Sequence, residues 1–243
     1  MAQPSFQYSG KLYLIPTTLG PSNPIEVLPY SIKKIIEKVD HYIVENEKTA
    51  RRSIKEVVPG KKQPLLKLSL LNKFTEASSL SGFLDPCKDG LDVGLLSEAG
   101  CPGVADPGAE IVQIAHSMGI QVVPLVGPSS ILLAMMGSGM NGQSFTFHGY
   151  LPIDKKERKQ ELKNLERISL ERKQAQIFIE TPYRNNAFLE DMTAVLHPGT
   201  RLCVACDLTL PSEFILTQTI AAWKKTKVDL HKRPTIFVLQ KEN

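Results

Sequence analysis

One stretch near the middle of the chain restricts the possible folds more than any other. The apolar run 91–96 is typical of a buried strand, and it stops abruptly in small residues, glycines and prolines. Asp106 and Pro107 then predict a helix start, with Asp106 as the N-cap and Pro107 in the first helical position. A strand, a tight loop and a helix in this order are typical of a parallel α/β sheet.

The loop within this stretch is also a candidate ligand site. Gly100 and Gly103 can adopt positive φ and leave room for a ligand to approach the backbone. Loops at the carboxyl ends of parallel strands are where open α/β sheets bind small molecules. The alternative is that both glycines only satisfy the geometry of the turn, and the local chemistry does not name a ligand.

The two halves of the chain show different patterns of predicted elements. In the first half, apolar runs predict strands at 11–15, 41–45, 65–68, 91–96 and 119–123. Helices alternate with them at 31–39, 49–58, 72–84 and from 107 onwards. In the second half, strands are predicted at 145–148, 176–180, 202–206, 214–217 and 235–239. Fewer helices separate these strands, at 128 onwards, 154–173, 186–196 and near Trp223. We therefore predict an α/β protein with a parallel-sheet domain over 1–123 and a mixed-sheet α+β domain over 124–243.

Composition limits the class of protein. The 243 residues are enough for two modest domains, and no apolar run approaches the ~20 residues of a membrane span. The first ten residues lack the features of a signal peptide. We expect a cytoplasmic protein with no membrane partner, and the net charge of +4 permits a nucleic-acid partner without requiring one.

The four cysteines raise the question of a metal or redox site. Cys203 and Cys206 form a CxxC motif. Residues three apart in a strand point to opposite faces, and Cys87 and Cys101 do not complete a zinc motif. We expect reduced, buried cysteines and no metal.

The predicted helix 154–173 is dense in charge. Its basic residues are Lys155, Lys156, Arg158, Lys159, Lys163, Arg167, Arg172 and Lys173. Acidic residues are mixed among them, which is typical of a solvated face. A contact with RNA is the alternative.

Several common catalytic motifs are absent from the sequence. No GxGxxG follows the first strand, and there is no GxxxxGK[ST], HExxH or GxSxG. This excludes the standard dinucleotide, P-loop, zinc-protease and nucleophile-elbow patterns. The strand-end loops remain as sites for a ligand that needs no phosphate cradle.

Four stretches, in order, resemble the tetrapyrrole methylase superfamily, whose members use S-adenosylmethionine. They are LIPTTLG at 14–20, LSEAGCPGVADPG at 96–108, VPLVGPSS at 123–130 and ETPYR at 180–184. Within the superfamily, the chain is most similar to the family that methylates a ribose 2′-hydroxyl of 16S ribosomal RNA.

The resemblance implies two α/β domains with S-adenosylmethionine in the cleft between them, and a homodimer. It implies that the cofactor is bound by Pro16, Leu19, Gly20, Ser97, Glu98, Ala99, Gly100, Cys101, Ser129, Ser130, Thr181, Pro182 and Leu208. For Glu98, and for the two serines, capping of a turn or helix is the alternative role.

Candidate catalytic residues are the charged side chains near that predicted cleft. Glu45 and Glu180 are candidates to orient the acceptor or to accept its proton. Arg184 is a candidate to hold Glu180 or a phosphate.

The chain departs from the family pattern mainly on the acceptor side. Pro21 follows Gly20 in place of asparagine, and of Ala-Glu-Asp-Thr-Arg only Glu45 is kept. Asn72 alone matches His-Glu-His-Asn, and Leu210 replaces the lysine of Glu-Leu-Thr-Lys. Three hypotheses follow: a methyltransferase acting on small-subunit ribosomal RNA, a methylase of a tetrapyrrole-like small molecule, or a degenerate member that binds S-adenosylmethionine or associates with RNA.

Overall fold

The computed structural model describes residues 6–72 and 74–242. The chain divides into two compact units, one that extends to Pro128 and one that begins at Ser129. Each unit is built around its own sheet.

The first unit contains, within its described residues, a five-stranded parallel sheet. Its strands are β1 (Lys11–Ile15), β2 (His41–Val44), β3 (Lys67–Leu70), β4 (Val93–Leu96) and β5 (Gln121–Pro124). Its α-helices are α1 (Pro24–Val27), α2 (Tyr30–Lys38), α3 (Glu47–Val57), α4 (Asp85–Lys88) and α5 (Ala109–Ser117). The strand order is β3-β2-β4-β1-β5, so β4 and β1 lie at the centre.

The apolar run of β4 explains its central place. All four of its residues are buried, as expected for a parallel strand that is covered on both faces. A Cβ added at Gly94 would lie 2.7 Å from Ile15 Cδ1 and 2.9 Å from Tyr42 Cδ1, so this position has room only for glycine. The centre of the sheet is therefore closely packed.

The second unit contains a mixed sheet. Its strands are β6 (Phe145–Tyr150), β7 (Ala175–Ile179), β8 (Arg201–Cys206), β9 (Phe214–Thr219) and β10 (Thr235–Gln240). Its helices are α6 (Ser130–Ser138), α7 (Lys155–Arg172), α8 (Asn185–Val195) and α9 (Ile220–Trp223). The order is β6-β7-β10-β8-β9, with β6 parallel to β7 and the other neighbours antiparallel. The rings of Phe178, Phe188 and Phe237 pack together in its core with centroids 5.2–6.2 Å apart.

The predicted fold class is confirmed, and most predicted boundaries lie within two residues of the observed ones. The helix predicted over 72–84 is shorter in the structure and does not have α geometry. That segment contains a 3-10 helix at Ala77–Leu84, and α4 follows it, while residue 73 lies outside the described part. Serine and glycine are poor α-helix formers, and Ala77–Leu84 contains three serines and one glycine.

Two further observations concern composition. No helix in the described part of the chain has the length and apolar character needed to cross a membrane. Among the described residues, Cys203 and Cys206 are buried free thiols, and burial raises the pKa of both.

Candidate functional site

In the first unit, two predicted cofactor loops are bound to each other. β1 and β4 are parallel neighbours, so the loops that follow them leave the same edge of the sheet. The Thr17 amide donates to the Gly100 carbonyl over 3.0 Å, and Thr17 Oγ1 donates to the Ser97 carbonyl over 3.2 Å. The structure therefore brings the Pro16–Gly20 loop against the Ser97–Cys101 loop, as expected from the parallel sheet.

Gly100 makes the close approach of these loops possible. Its φ is +72°, and an added Cβ would lie 3.1 Å from Leu19 Cδ2 and 3.3 Å from the Pro128 carbonyl oxygen. The buried Ser97 hydroxyl donates to the Gly100 carbonyl over 2.6 Å. The Cys101 thiol donates to the Pro128 carbonyl over 3.4 Å. Leu19, Ser97, Gly100 and Cys101 thus lie together.

Glu98 lies on the exposed side of this loop pair. Its Oε1 accepts from Thr49 Oγ1 over 2.6 Å, which joins the loop after β4 to helix α3. The neighbouring Ala99 is exposed, whereas Pro16 is buried and Gly20 is partly buried.

Asp106 has a different role from the one that the sequence predicts. Helix α5 begins at Ala109 and its N-cap is Gly108, with φ of +134°, so the prediction of Asp106 as N-cap is wrong. The chain passes through Ala105 at φ +57°. Burial first, and then the neighbouring carboxyl groups of Glu45 and Glu98, raise the pKa of Asp106 to about 8.

The Asp106–Glu45 pair is the feature that sequence reasoning missed. Glu45 Oε1 is buried and finds no hydrogen-bond partner among the described residues. The pattern Asp-Pro-Gly is typical of a helix N-terminus, so the sequence predicts a capping role for Asp106 and no contact with Glu45. The position of Asp106 in the stretch 96–108 that resembles the family is the signal that could have singled it out.

In the second unit, the predicted residues gather where β7 ends. The Glu180 side chain is buried, and its Oε1 accepts from the Thr181 amide and from Arg184 Nη2, each over 2.6 Å. Arg184 was predicted to bind either Glu180 or a phosphate, and in the structure it forms an ion pair with Glu180. Both acceptor positions at this oxygen are thus used within the protein.

The loops before β10 and after β8 lie at the same end of this sheet. The Lys232 amide donates to the Pro182 carbonyl over 3.0 Å, and Arg233 Nε donates to Asp207 Oδ2 over 2.8 Å. Leu208 follows Asp207 and is buried. Thr181, Pro182, Arg184 and Leu208 are therefore all parts of one cluster of strand-end loops.

The helix α6 begins with the serine pair. Ser129 is the N-cap, and its Oγ accepts from the Leu132 amide over 3.4 Å, which is the capping alternative for this serine. Ser130 is the first helical residue. Leu132, in the first turn of the helix, is 52% exposed, whereas Ala134 is buried.

The charge-dense helix α7 is not solvated throughout. Arg158 is buried and its guanidinium donates to Asp191 Oδ2 through Nε at 3.1 Å and through Nη2. Burial acts to raise the pKa of Asp191, but Arg158, Lys155 and Lys159 together hold it below its usual range. The interpretation of the whole basic set as surface residues is therefore wrong for Arg158.

Comparison with known proteins identifies the family. No family model matches the chain. The protein named ribosomal RNA small subunit methyltransferase I from Bacillus subtilis (strain 168) is 33% identical over 215 residues, covering 87% of this chain and 68% of the relative. The protein of the same name from Vibrio cholerae is 30% identical over 210 residues, covering 86% of this chain and 69% of the relative. The chain belongs to the ribosomal RNA small subunit methyltransferase I family. The predicted resemblance is confirmed, as is the prediction of a methyltransferase.

Solved structures agree with this family's expected fold. The methyltransferase CobJ matches with a TM-score of 0.62 and 17% identity over 96% of this chain and 94% of its own. The cobalt precorrin-4 methyltransferase CbiF matches with a TM-score of 0.59 and 14% identity, and the match covers 95% of this chain and 94% of CbiF. Uroporphyrin-III C-methyltransferase from Thermus thermophilus, in complex with S-adenosyl homocysteine, matches with a TM-score of 0.53 and 17% identity. The match covers 96% of this chain and 98% of that structure's chain. At these identities the similarity shows the tetrapyrrole methylase fold.

Proposed function

We propose that this member of the family transfers a methyl group from S-adenosylmethionine to a ribose 2′-hydroxyl of small-subunit ribosomal RNA. The observation that carries the proposal is the 33% identity, over 87% of the chain, to a ribosomal RNA small subunit methyltransferase I. The two loops that meet in the first unit belong to the stretches that resemble the family. A ribosomal substrate implies that the reaction takes place in the cytoplasm.

The methyl donor is S-adenosylmethionine, as the sequence predicts and as the comparisons support. The residues of the first unit fit such a ligand. Gly100 lets two loops approach each other closely, and Glu98 places an exposed carboxylate on the loop after β4. A ligand that carries a sulfonium and an ammonium group is attracted by such a carboxylate.

The proposed cofactor residues come from the strand-end loops of each unit. In the first unit they are Pro16, Leu19, Gly20, Ser97, Glu98, Ala99, Gly100 and Cys101. In the second unit they are Ser129, Ser130, Thr181, Pro182 and Leu208. Buried and backbone-constrained members of this set would orient the ligand, and Glu98 would accept hydrogen bonds from its hydroxyl or amino groups.

When bound, S-adenosylmethionine supplies an electrophilic methyl group for in-line displacement by the acceptor oxygen. The chain must then orient the ribose hydroxyl and take up its proton. We assign the proton-accepting role to Glu45, because its Oε1 is buried and has no partner in the described part of the chain. Glu180 is less suited, since its Oε1 already accepts from Thr181 and Arg184.

Asp106 would support Glu45 in this role. Its pKa of about 8 keeps most of Asp106 protonated at neutral pH. A protonated Asp106 can donate a hydrogen bond to the Glu45 carboxylate and hold it in position. Arg184 would act in the second unit by fixing Glu180 at the end of β7.

The test is a methyl-transfer assay with radiolabelled S-adenosylmethionine and the full chain. We expect label in small ribosomal subunits, and nucleoside mass spectrometry should find it as a 2′-O-methyl nucleoside. Label in a tetrapyrrole pool instead would refute the ribosomal substrate. Cofactor binding by calorimetry without any turnover would favour the degenerate-member hypothesis, which the changed residues Pro21 and Leu210 keep open.

The role of Glu45 has its own test. Glu45→Gln should lower kcat by about 10²-fold or more while the Kd for S-adenosylmethionine changes little. Glu47→Gln is the matched control, because Glu47 is exposed two residues further along and pairs with Arg51. Equal rates for both variants would exclude Glu45 as the proton acceptor.

The homodimer remains part of the proposal as an expectation from the family resemblance. Light scattering on the purified chain measures it directly. A monomeric mass at micromolar concentration would contradict it.

A further inference from the structure

We propose that the second unit carries an RNA-docking surface at the end of its sheet where β6 and β7 finish. It consists of Tyr150, Tyr183, Lys156, Lys159, Lys163 and Lys232. The inference rests on the proposed function, and it names the side chains that would hold the RNA around the acceptor ribose.

The first observation is a pair of exposed tyrosines at neighbouring strand ends. β6 and β7 are parallel, and Tyr150 is in register with Ile179, so both strands end at the same edge. Tyr150 is 62% exposed and Tyr183, just beyond β7, is 69% exposed. The register shifts between Phe147 and Tyr150, and such bulges re-aim side chains at strand ends. Exposed aromatic rings on a sheet edge suit the stacking of unpaired bases.

The second observation is that a cation is fixed beside one of these rings. Lys232 Nζ lies 5.8 Å from the centre of the Tyr183 ring, and the His231 ring contacts it edge-on at 5.9 Å. Lys232 has φ of +61°, and its amide donates to the Pro182 carbonyl. A non-glycine residue held in this conformation is strained, and such strain clusters at functional sites. A base stacked on Tyr183 would place its phosphate within reach of this ammonium group.

The third observation is an excess of positive charge where α7 begins. Among the described residues, the buried carboxylate of Asp191 faces three cations: Arg158, which it binds directly, and Lys155 and Lys159 at 3.6 Å. One negative charge cannot balance three positive charges. The 70% exposed Lys155 side chain is therefore not neutralised by this carboxylate alone, and it follows the end of β6 closely in the chain.

The fourth observation is that charges separate along α7. Lys156, Lys159 and Lys163 are spaced three and four residues apart, so they lie on one face of the helix. Glu157 and Glu161 are four apart and lie on another face. Over residues 156–163 the basic and acidic side chains thus lie on different faces, and this part of α7 follows the end of β6.

Aromatic rings and ammonium groups in one place match a single-stranded RNA segment, which presents bases and phosphates together. A loop of ribosomal RNA has to expose a ribose for methylation, so its neighbouring nucleotides need contacts of both kinds. The Glu180–Arg184 pair lies at the same end of β7 as Tyr183. The surface therefore lies beside residues already proposed for the site.

The test compares two sets of variants in the full chain. Tyr183→Ala should raise the KM for small ribosomal subunits at least about fivefold, and Tyr183→Phe should keep it near the wild-type value because the ring remains. Lys156→Gln with Lys163→Gln should lower the slope of log affinity against log salt for a fluorescent single-stranded RNA by about 1.4. Lys224→Gln with Lys225→Gln is the control, because both lysines are exposed in the same unit outside the surface.

The outcomes separate the inference from the proposed function. Calorimetry with S-adenosylmethionine reports whether each variant is folded and binds cofactor. If wild type methylates ribosomal subunits and the surface variants match the control in both assays, the inference is overturned. If wild type methylates nothing but RNA affinity falls in the surface variants alone, the surface stands and the proposed function fails. Tighter binding of an anionic tetrapyrrole than of RNA by wild type, lost in the same variants, would overturn RNA as the occupant.

Discussion

Replacing Asp106 with asparagine provides a sharp test of the site in the first unit. The Asp106 carboxyl is partly buried beside Glu45, and its pKa is raised from 3.8 to about 8 by burial first and by the neighbouring carboxylates next. Asparagine keeps the size of the side chain and cannot ionise. The substitution therefore removes one titration from the folded protein.

The sign of the effect follows from proton linkage. Below about pH 4 the Asp106 carboxyl is protonated in both the folded and the unfolded chain. As pH rises from there, the unfolded chain loses this proton while the folded chain keeps it, so the free energy of unfolding falls. The loss is complete once pH passes the folded-state pKa of about 8.

The magnitude can be worked from that pKa. The difference between 3.8 and about 8 corresponds to roughly 6 kcal/mol at the standard conversion, which is an upper limit. Asp106 is partly exposed, and solvent screening reduces the expected value to on the order of 2 kcal/mol. We expect Asp106→Asn to be stabilised relative to wild type by this amount at about pH 8.5, and by much less at about pH 3.5, where the carboxyl is mostly protonated in the unfolded chain as well.

The assay is urea unfolding of wild type and variant at both pH values. Asp89→Asn is the control, because Asp89 is an exposed carboxyl in the same unit. Glu45→Gln should remove part of the pH dependence, because it removes one cause of the raised pKa of Asp106. If wild type and Asp106→Asn differ equally at both pH values, Asp106 has an ordinary pKa and the reasoning about this pair is refuted.

Two stability predictions follow from the packing. Asp191→Ala leaves the buried Arg158 without its carboxylate and should lower the free energy of unfolding in urea by about 3–5 kcal/mol, and a loss below about 1 kcal/mol would contradict a buried pair. Gly127→Ala would place a Cβ 2.2 Å from Pro16 Cβ and should cost about 1–3 kcal/mol with weaker cofactor binding, whereas Gly60→Ala, with nothing within 4 Å, should be nearly neutral.

Much of the fold could be predicted because its signals are local. Strand β1 has the predicted bounds Lys11–Ile15, since an apolar run bounded by Gly10 and Pro16 defines both of its ends. Parallel pairing of β1 with β4 then follows from the alternation of strands and helices, and it brings the two loops together. The contact between Thr17 and Gly100 is a consequence of that topology.

The failures have two different physical causes. The segment 72–84 is predicted as a helix, but its serine and glycine content disfavours α geometry, and Ala77–Leu84 forms a 3-10 helix. Arg158 resembles its charged neighbours along α7, but its partner Asp191 lies 33 residues away. Nothing local distinguishes a buried arginine from an exposed one in such a helix.

By itself, the sequence determined the order of strands and helices, the parallel sheet of the first unit and the loops that resemble the family. Periodicity and turn chemistry act over a few residues, so they can be read along the chain. Only the tertiary structure decided that Asp106 lies near Glu45 and that Glu180 forms an ion pair with Arg184. It also decided that Arg158 is buried against Asp191. These properties depend on which distant side chains share a small volume, and burial in that volume sets the energy of each charge.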